Sequence, residues 1–177
     1  MLSIAVNMQK TGDSQKIQKF AHDADVEVLV GFLSGKKHVP TLHRQGKGKA
    51  AQYRGIDGGE PDFSAVETAE LAKTLSFGGA RIPPRPFIEE GLGSRREEIK
   101  KEIGAQLENA KNGRGANWDK VGTMAVGAVQ EFVRGGYYKS NVPNSKRTQE
   151  YKGSDTPLID GGDLINSLEY IVEGGSA

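Results

Sequence analysis

The sequence predicts an α+β domain: a small, mostly antiparallel sheet packed with about three main helices, interrupted by one long glycine- and lysine-rich loop. Three observations carry this prediction. Apolar residues at alternate positions, the period of a half-buried strand, occur at Leu2–Met8, Val26–Phe32 and Leu168–Val172. Between the last two of these, apolar residues recur at helical spacing. The stretch 34–62 follows neither pattern. The 177 residues fit one domain, 1–177, and a fold of that size buries roughly 70% of the surface its unfolded chain exposes.

In chain order, Leu2, Ile4, Val6 and Met8 share one face of a first strand, with Ser3, Ala5 and Asn7 on the other. Thr11-Gly12-Asp13-Ser14 supplies turn and cap chemistry, and a short helix through Ile17 and Phe20 follows. Val26, Val28, Val30 and Phe32 form the inward set of a second strand. The loop 34–62 then holds six glycines, with Pro40 and Pro61 against any ladder. It is roughly twice the ~12–15 residues beyond which loops become uncommon in compact domains. Little of it is apolar, so it is expected to be mobile in the isolated subunit and to order on assembly.

Ser64-Ala65-Val66-Glu67 fits a capping box, and Val66, Ala69, Ala72 and Leu75 continue it as a helical stripe ending at Gly78-Gly79. After Ile82-Pro83-Pro84-Arg85-Pro86 a long helix begins near Phe87, with Ile99, Ile103, Leu107 and Ala110 as its clearest stripe and Glu97–Lys101 as an i,i+4 pair. Asn112-Gly113-Arg114-Gly115 stops it. Asp119–Val133 is the third strong helix, with Val121, Met124, Ala125, Ala128, Phe132 and Val133 on one face. Gly122 and Gly127 each cost about 1 kcal/mol there relative to Ala, which implies close packing. A second loop, 135–156, precedes a short helix capped by Asp160, and the strand opened by Leu168 closes the fold.

Composition excludes several classes of function. Apolar residues make up 36% and charged residues 27%, mean hydropathy is −0.55, and no apolar run approaches the ~20 residues of a membrane span. No membrane partner is expected, and Met1-Leu2-Ser3-Ile4 does not open a secretory signal. With no cysteine, thiolate catalysis, disulfides and cysteine-ligated metals are excluded. Twenty-four basic and 23 acidic residues leave a net charge of +1, which favours no particular partner.

Candidate chemistry is sparse. His22, His38 and His43 are the only histidines, and two lie in the long loop. His38 and His43 stand five apart, not the four that places two ligands on one helix face; ordinary solvated histidines are the alternative. Glu89-Glu90 and Glu97-Glu98 are adjacent pairs that diverge on a helix. Asp155, Asp160 and Asp163 form the best acidic cluster, with capping as the competing use of Asp160. No phosphate-binding glycine signature is complete. No catalytic residue, cofactor or metal is therefore expected, and the chain reads as a non-enzyme.

The long loop carries Lys36, Lys37, Arg44, Lys47, Lys49 and Arg54, with no Asp or Glu from Leu33 to Ile56. Six unopposed cations suit phosphate contact. The alternatives are a solvated arm, or one docked on a neighbouring subunit or acidic partner. Tyr53 is the only aromatic there, so stacking on bases is weakly supported.

Two passages carry a family resemblance. One is Phe77-Gly78-Gly79-Ala80-Arg81-Ile82-Pro83-Pro84-Arg85-Pro86-Phe87-Ile88. The other is Lys152-Gly153-Ser154-Asp155-Thr156-Pro157-Leu158-Ile159-Asp160-Gly161-Gly162-Asp163-Leu164-Ile165-Asn166-Ser167-Leu168-Glu169-Tyr170. Together, in this order and spacing over about Ser64–Glu173, they resemble the virion-morphogenesis proteins of Mu-like and lambda-like tailed phages, which complete the tail and join it to the head. Gly161 stands where that family usually has threonine, and the basic loop has no counterpart in its pattern. The resemblance implies a structural virion protein of the neck, made in the host cytoplasm. It implies a homo-oligomeric ring, a hexamer being expected. The implied partners are tail tube or terminator proteins, head connector or head-closure proteins and, by contact, packaged DNA. Pro83, Pro84 and Pro86 stiffen the first passage, which presents Arg81 and Arg85 either across a rigid crossover or to a neighbouring subunit. Phe87 belongs to the first passage as a structural-motif residue at the start of a helix, and Leu158, Leu164 and Leu168 are the expected core anchors of the second. The alternative function is a DNA-binding accessory protein using loop residues 36–54.

Overall fold

A computed structural model describes residues 21–22, 24–32, 37–38, 66–79 and 82–174, and these form an α+β fold. The expected strand at Leu2–Met8, the helix through Ile17 and Phe20, and most of the loop 34–62 lie outside the described residues. Strand β1 (Val26–Phe32) pairs antiparallel with β4 (Leu168–Gly174), Val30 opposite Tyr170 and Phe32 opposite Leu168. This pairing joins the expected second and closing strands. A smaller ladder pairs β2 (Lys37–His38) with β3 (Val66–Glu67), also antiparallel.

Helix α1 (Thr68–Phe77) therefore starts three residues later than the capping-box pattern with Ser64 as N-cap predicts. Glu67 is drawn into the ladder opposite Lys37, and pairing of a β-branched residue, Val66, overrides local helix-start chemistry. Gly78, at φ +78°, ends the helix. A Cβ there would stand 2.7 Å from the Ile82 carbonyl oxygen, so this turn needs glycine on both counts.

The long helix expected from Phe87 is two helices, α2 (Phe87–Ser94) and α3 (Arg96–Lys111), broken at Arg95 with φ −122°. Two local interactions favour the break. Ser94 Oγ donates back to the Gly91 carbonyl at 2.6 Å, and the Arg95 guanidinium turns to Glu98 and Glu131. Glu97 pairs with Lys100 at 3.0 Å rather than with Lys101. Helix α4 (Trp118–Arg134) matches its predicted span, with Asn117 as N-cap accepting from the Lys120 amide at 3.2 Å. Val121, Ala125, Ala128 and Val133 are buried along its inner face.

The second predicted loop is largely helical: α5 (Tyr137–Asn141) and α6 (Lys146–Lys152) occupy it. Ser145 caps α6, its Oγ accepting from the Thr148 amide at 3.2 Å, and Gly153 ends it at φ +65°. Helix α7 (Asp163–Asn166) has Gly162 as N-cap with no side-chain capping bond, which corrects the cap assigned to Asp160. The core gathers Phe87, Val129, Val133, Tyr138, Leu158, Leu164, Ile165 and Leu168 between α4 and the β1–β4 pair.

The two glycines of α4 differ. A Cβ added at Gly127 would meet no atom within 4 Å, so close packing does not explain that residue. Gly122 does pack closely, but against a strand rather than a helix: a Cβ there would overlap the Tyr170 ring. Gly122→Ala is expected to destabilise by about 1–3 kcal/mol through overpacking, although Ala is the better helix former by about 1 kcal/mol. Denaturant melts should show the loss vanishing in a Tyr170→Leu background.

Candidate functional site

The two passages of the resemblance meet in the folded chain. Pro86 leads directly into α2, and Phe87 is fully buried with its ring edge-on to Phe32, centroids 6.2 Å apart. Leu158, Leu164 and Leu168 enter the same core from the other passage. Leu158 holds φ +63°, unusual for a branched side chain, and its burial shows what holds it there. The three leucines are buried as expected, and Phe87 joins them in that core.

Arg85 departs from its expected place. Only 4% of it is exposed, and its guanidinium points inward. Nε donates to the Val142 carbonyl at 3.0 Å and Nη2 to the Pro143 carbonyl at 3.2 Å, fastening the turn after α5 to the start of α2. The expected subunit contact through Arg85 is thus corrected to an internal clamp. Pro86 fixes the backbone that aims it, and the Arg85 amide bonds back to the Leu75 carbonyl at 3.0 Å. Arg81 lies outside the described residues, as do Lys36, Arg44, Lys47, Lys49 and Arg54; Lys37 is described through its backbone pairing alone.

A second buried cation stands near this clamp. Lys152 is 9% exposed, and its Nζ donates to the Thr156 carbonyl at 3.0 Å, closing the turn that opens Pro157-Leu158. Burial lowers its pKa below the ordinary lysine value, Asp160 nearby opposes that shift, and Arg85 adds to it. Burial likewise lowers the pKa of Arg85, against the attraction of Tyr138. Asp160 is thus placed to act electrostatically on the Lys152 ammonium. Sequence reading missed Lys152 as a buried group; its one visible signal is its place immediately before Gly153, where the helix must end.

Tyr138 completes the cluster. Its hydroxyl donates to Glu90 Oε2 across α5 and α2, and burial, then that bond, push its pKa above the ordinary tyrosine value of 10.0. The folded state keeps a proton that the unfolded chain gives up, so this contribution is complete below about pH 10 and is lost as pH rises further. Lys152 has the opposite sign, since its lowered pKa relieves a burial penalty as pH rises towards 10.5. Tyr138→Phe is therefore expected to cost about 1–3 kcal/mol near neutral pH. It should also flatten the alkaline loss of stability, read as the wild-type-minus-variant difference in urea melts at about pH 7 and about pH 11.

Chemically, these polar groups bind backbone carbonyls and one another, fastening α2, α5 and the 152–160 turn into one block. Asp155, from the acidic cluster, pairs with Lys139 at 2.8 Å on the surface. His22 is exposed beside a short helical turn. Among the described residues, no three His, Asp or Glu side chains gather as a metal group, and no helix is long and apolar enough to cross a membrane.

The outer face of the proline segment is a different kind of surface. Ile82, Pro83 and Pro84 are exposed beside Phe77, which is 76% exposed at the end of α1. A rigid apolar knuckle therefore stands at the point where the sequence places the strut, with hydrophobic side chains outward instead of Arg85. Comparison with protein-family models, with curated proteins and with solved structures found no match to this chain.

Proposed function

We propose that this chain is a non-enzymatic structural protein of a tailed-phage virion. It acts at the neck, completing the tail and enabling head–tail joining as one subunit of a homo-oligomeric ring, a hexamer. The observation that carries this reading is the resemblance of Phe77–Ile88 and Lys152–Tyr170 to the virion-morphogenesis family, in matching order. The packing of Phe87 against the same core as Leu158, Leu164 and Leu168 supports it, because the two motifs make one structural unit. Arg85 and Lys152 serve that unit through backbone carbonyls, a structural use of buried cations.

A closed ring needs a heterologous contact, one patch meeting a different patch on the neighbour. The knuckle of Phe77, Ile82, Pro83 and Pro84 is the proposed donor patch. Phe77→Ser is expected to leave stability within about 0.5 kcal/mol, as an exposed substitution does, yet to abolish the ring. Light scattering after size exclusion reads both: a mass near six subunits of 19.1 kDa for the wild type and a single subunit for the variant. A wild-type monomer, or a Phe77→Ser hexamer, would contradict this assignment.

One observation favours a second reading, a DNA-binding accessory protein. It is the acid-free run bearing Lys36, Lys37, Arg44, Lys47, Lys49 and Arg54. That reading expects a monomer or dimer that retains DNA, with binding that weakens steeply as salt rises.

A further inference from the structure

A cavity of about 390 Å³ lies between β1 and helix α3. Val26, Val28 and Val30 line it from the strand, and Ile99, Ile103 and Leu107 from the helix. All six are only half-buried, although each belongs to the apolar set of its element, so the cavity is reached by solvent. The knuckle of Phe77, Ile82, Pro83 and Pro84 is its converse, apolar and convex. The two stand at opposite ends of α2. The knuckle leads into the first turn, whereas Leu92 and Gly93 of the last turn line the cavity, and the eight residues between span about 12 Å. Phe77 is 76% exposed, so it does not fill the cavity of its own subunit.

We propose that the knuckle of one subunit seats in the β1–α3 cavity of the next, with Phe77 as the anchor, and that this contact is the seam of the ring. The inference rests on the ring assignment above and supplies the acceptor that the knuckle needs. Three features point to a second copy as the occupant. The cavity is large enough for compact organic groups, which take about 300–1,000 Å³, and an aromatic side chain in an apolar pocket is the usual anchor of an interface. The charges around the two patches are complementary. Lys73 is exposed on α1 one turn before Phe77, and Glu89 is exposed at the rim of the cavity. Neither has an ion-pair partner among the described residues of its own subunit. Glu70, a further turn back on α1, and Arg96, also at the rim, form a second complementary pair with the same property. An apolar centre with a charged rim is the ordinary layout of a protein interface. Knuckle and cavity are also different surfaces of one chain, so every subunit offers both and the contact repeats until the ring closes.

Lys73→Glu and Glu89→Lys, made singly and together in the full chain, test it by light scattering over a dilution series. Each single variant sets like charges across the seam and should raise the subunit concentration needed for the ring about tenfold or more. The double variant restores the pair with its signs exchanged and should return to within about threefold of the wild type. Both residues are exposed, so the fold stands in all three variants. A second measurement reads the seat itself. The chain has no cysteine, so a short bismaleimide should link Lys73→Cys subunits to Glu89→Cys subunits when the two are mixed, and neither variant to itself. A wild-type ring with single variants that assemble as readily, a double variant no better than the singles, or no link in the mixture would each overturn this inference and leave the ring assignment standing. Linking of Lys73→Cys to itself would overturn it too, since knuckle would then meet knuckle. A wild-type chain that stays monomeric at every concentration would overturn both.

Discussion

Phe87→Ala is expected to lower the stability of the chain by about 3–5 kcal/mol, enough to threaten folding of a typical domain. The side chain is fully buried at the first turn of α2 and contacts Phe32 of β1, so its loss opens a void between the helices and the sheet. The void cannot collapse easily. Pro86 fixes the backbone on one side, and on the other Gly91 brings α2 so close to α4 that an added Cβ would stand 2.7 Å from Val129 Cα. Phe87→Leu, which retains much of the volume, should recover a large part of the loss. Chemical denaturation of both variants checks the magnitude and its dependence on volume.

Leu164→Ala should follow closely, at about 2–5 kcal/mol. Leu164 is 3% exposed, and it lies one turn from Leu168, so it links α7 to the start of β4. Asp160→Ala makes the informative contrast. With Gly162 at the N-cap, the aspartate contributes through the nearby Lys152 ammonium, and its loss should cost far less than that of Leu164. Melting temperature and particle assembly of both variants check this. An Asp160→Ala subunit that is stable and assembles, yet yields inactive particles, would indicate a chemical role that the packing gives no reason to expect.

Strong periodicity was readable wherever one face of an element is buried. Val26–Phe32, the span of α4 and Leu168–Val172 follow from alternation or helical spacing because each presents a single apolar face to the core. Local signals misled where tertiary pairing competed with them. Ser64-Ala65-Val66-Glu67 has capping chemistry, yet the ladder to Lys37–His38 claims Val66 and Glu67. Helices α5 and α6 were hidden because they are short and mostly polar outward; α6 stops at Gly153 but α5 stops at Val142, and only Ser145 announces a start.

The candidate site was half legible. Leu158, Leu164 and Leu168 are apolar within a motif and are read correctly as core, whereas the burial of Phe87 shows only in the folded chain. Arg85 and Lys152 carry charge, which sequence reasoning places on the surface by default. Their burial depends on carbonyls of Val142, Pro143 and Thr156, which no residue pattern exposes. Conversely, Phe77 and Ile82 are apolar but exposed, and only the folded geometry sets them beside Pro83 and Pro84.

The neck assignment is tested most directly by electron microscopy of particles assembled from a phage genome in which this gene is deleted. The account predicts DNA-filled heads and finished-length tails that remain separate, with joining restored when the protein is supplied. Normally joined, infectious particles from the deleted genome would contradict it.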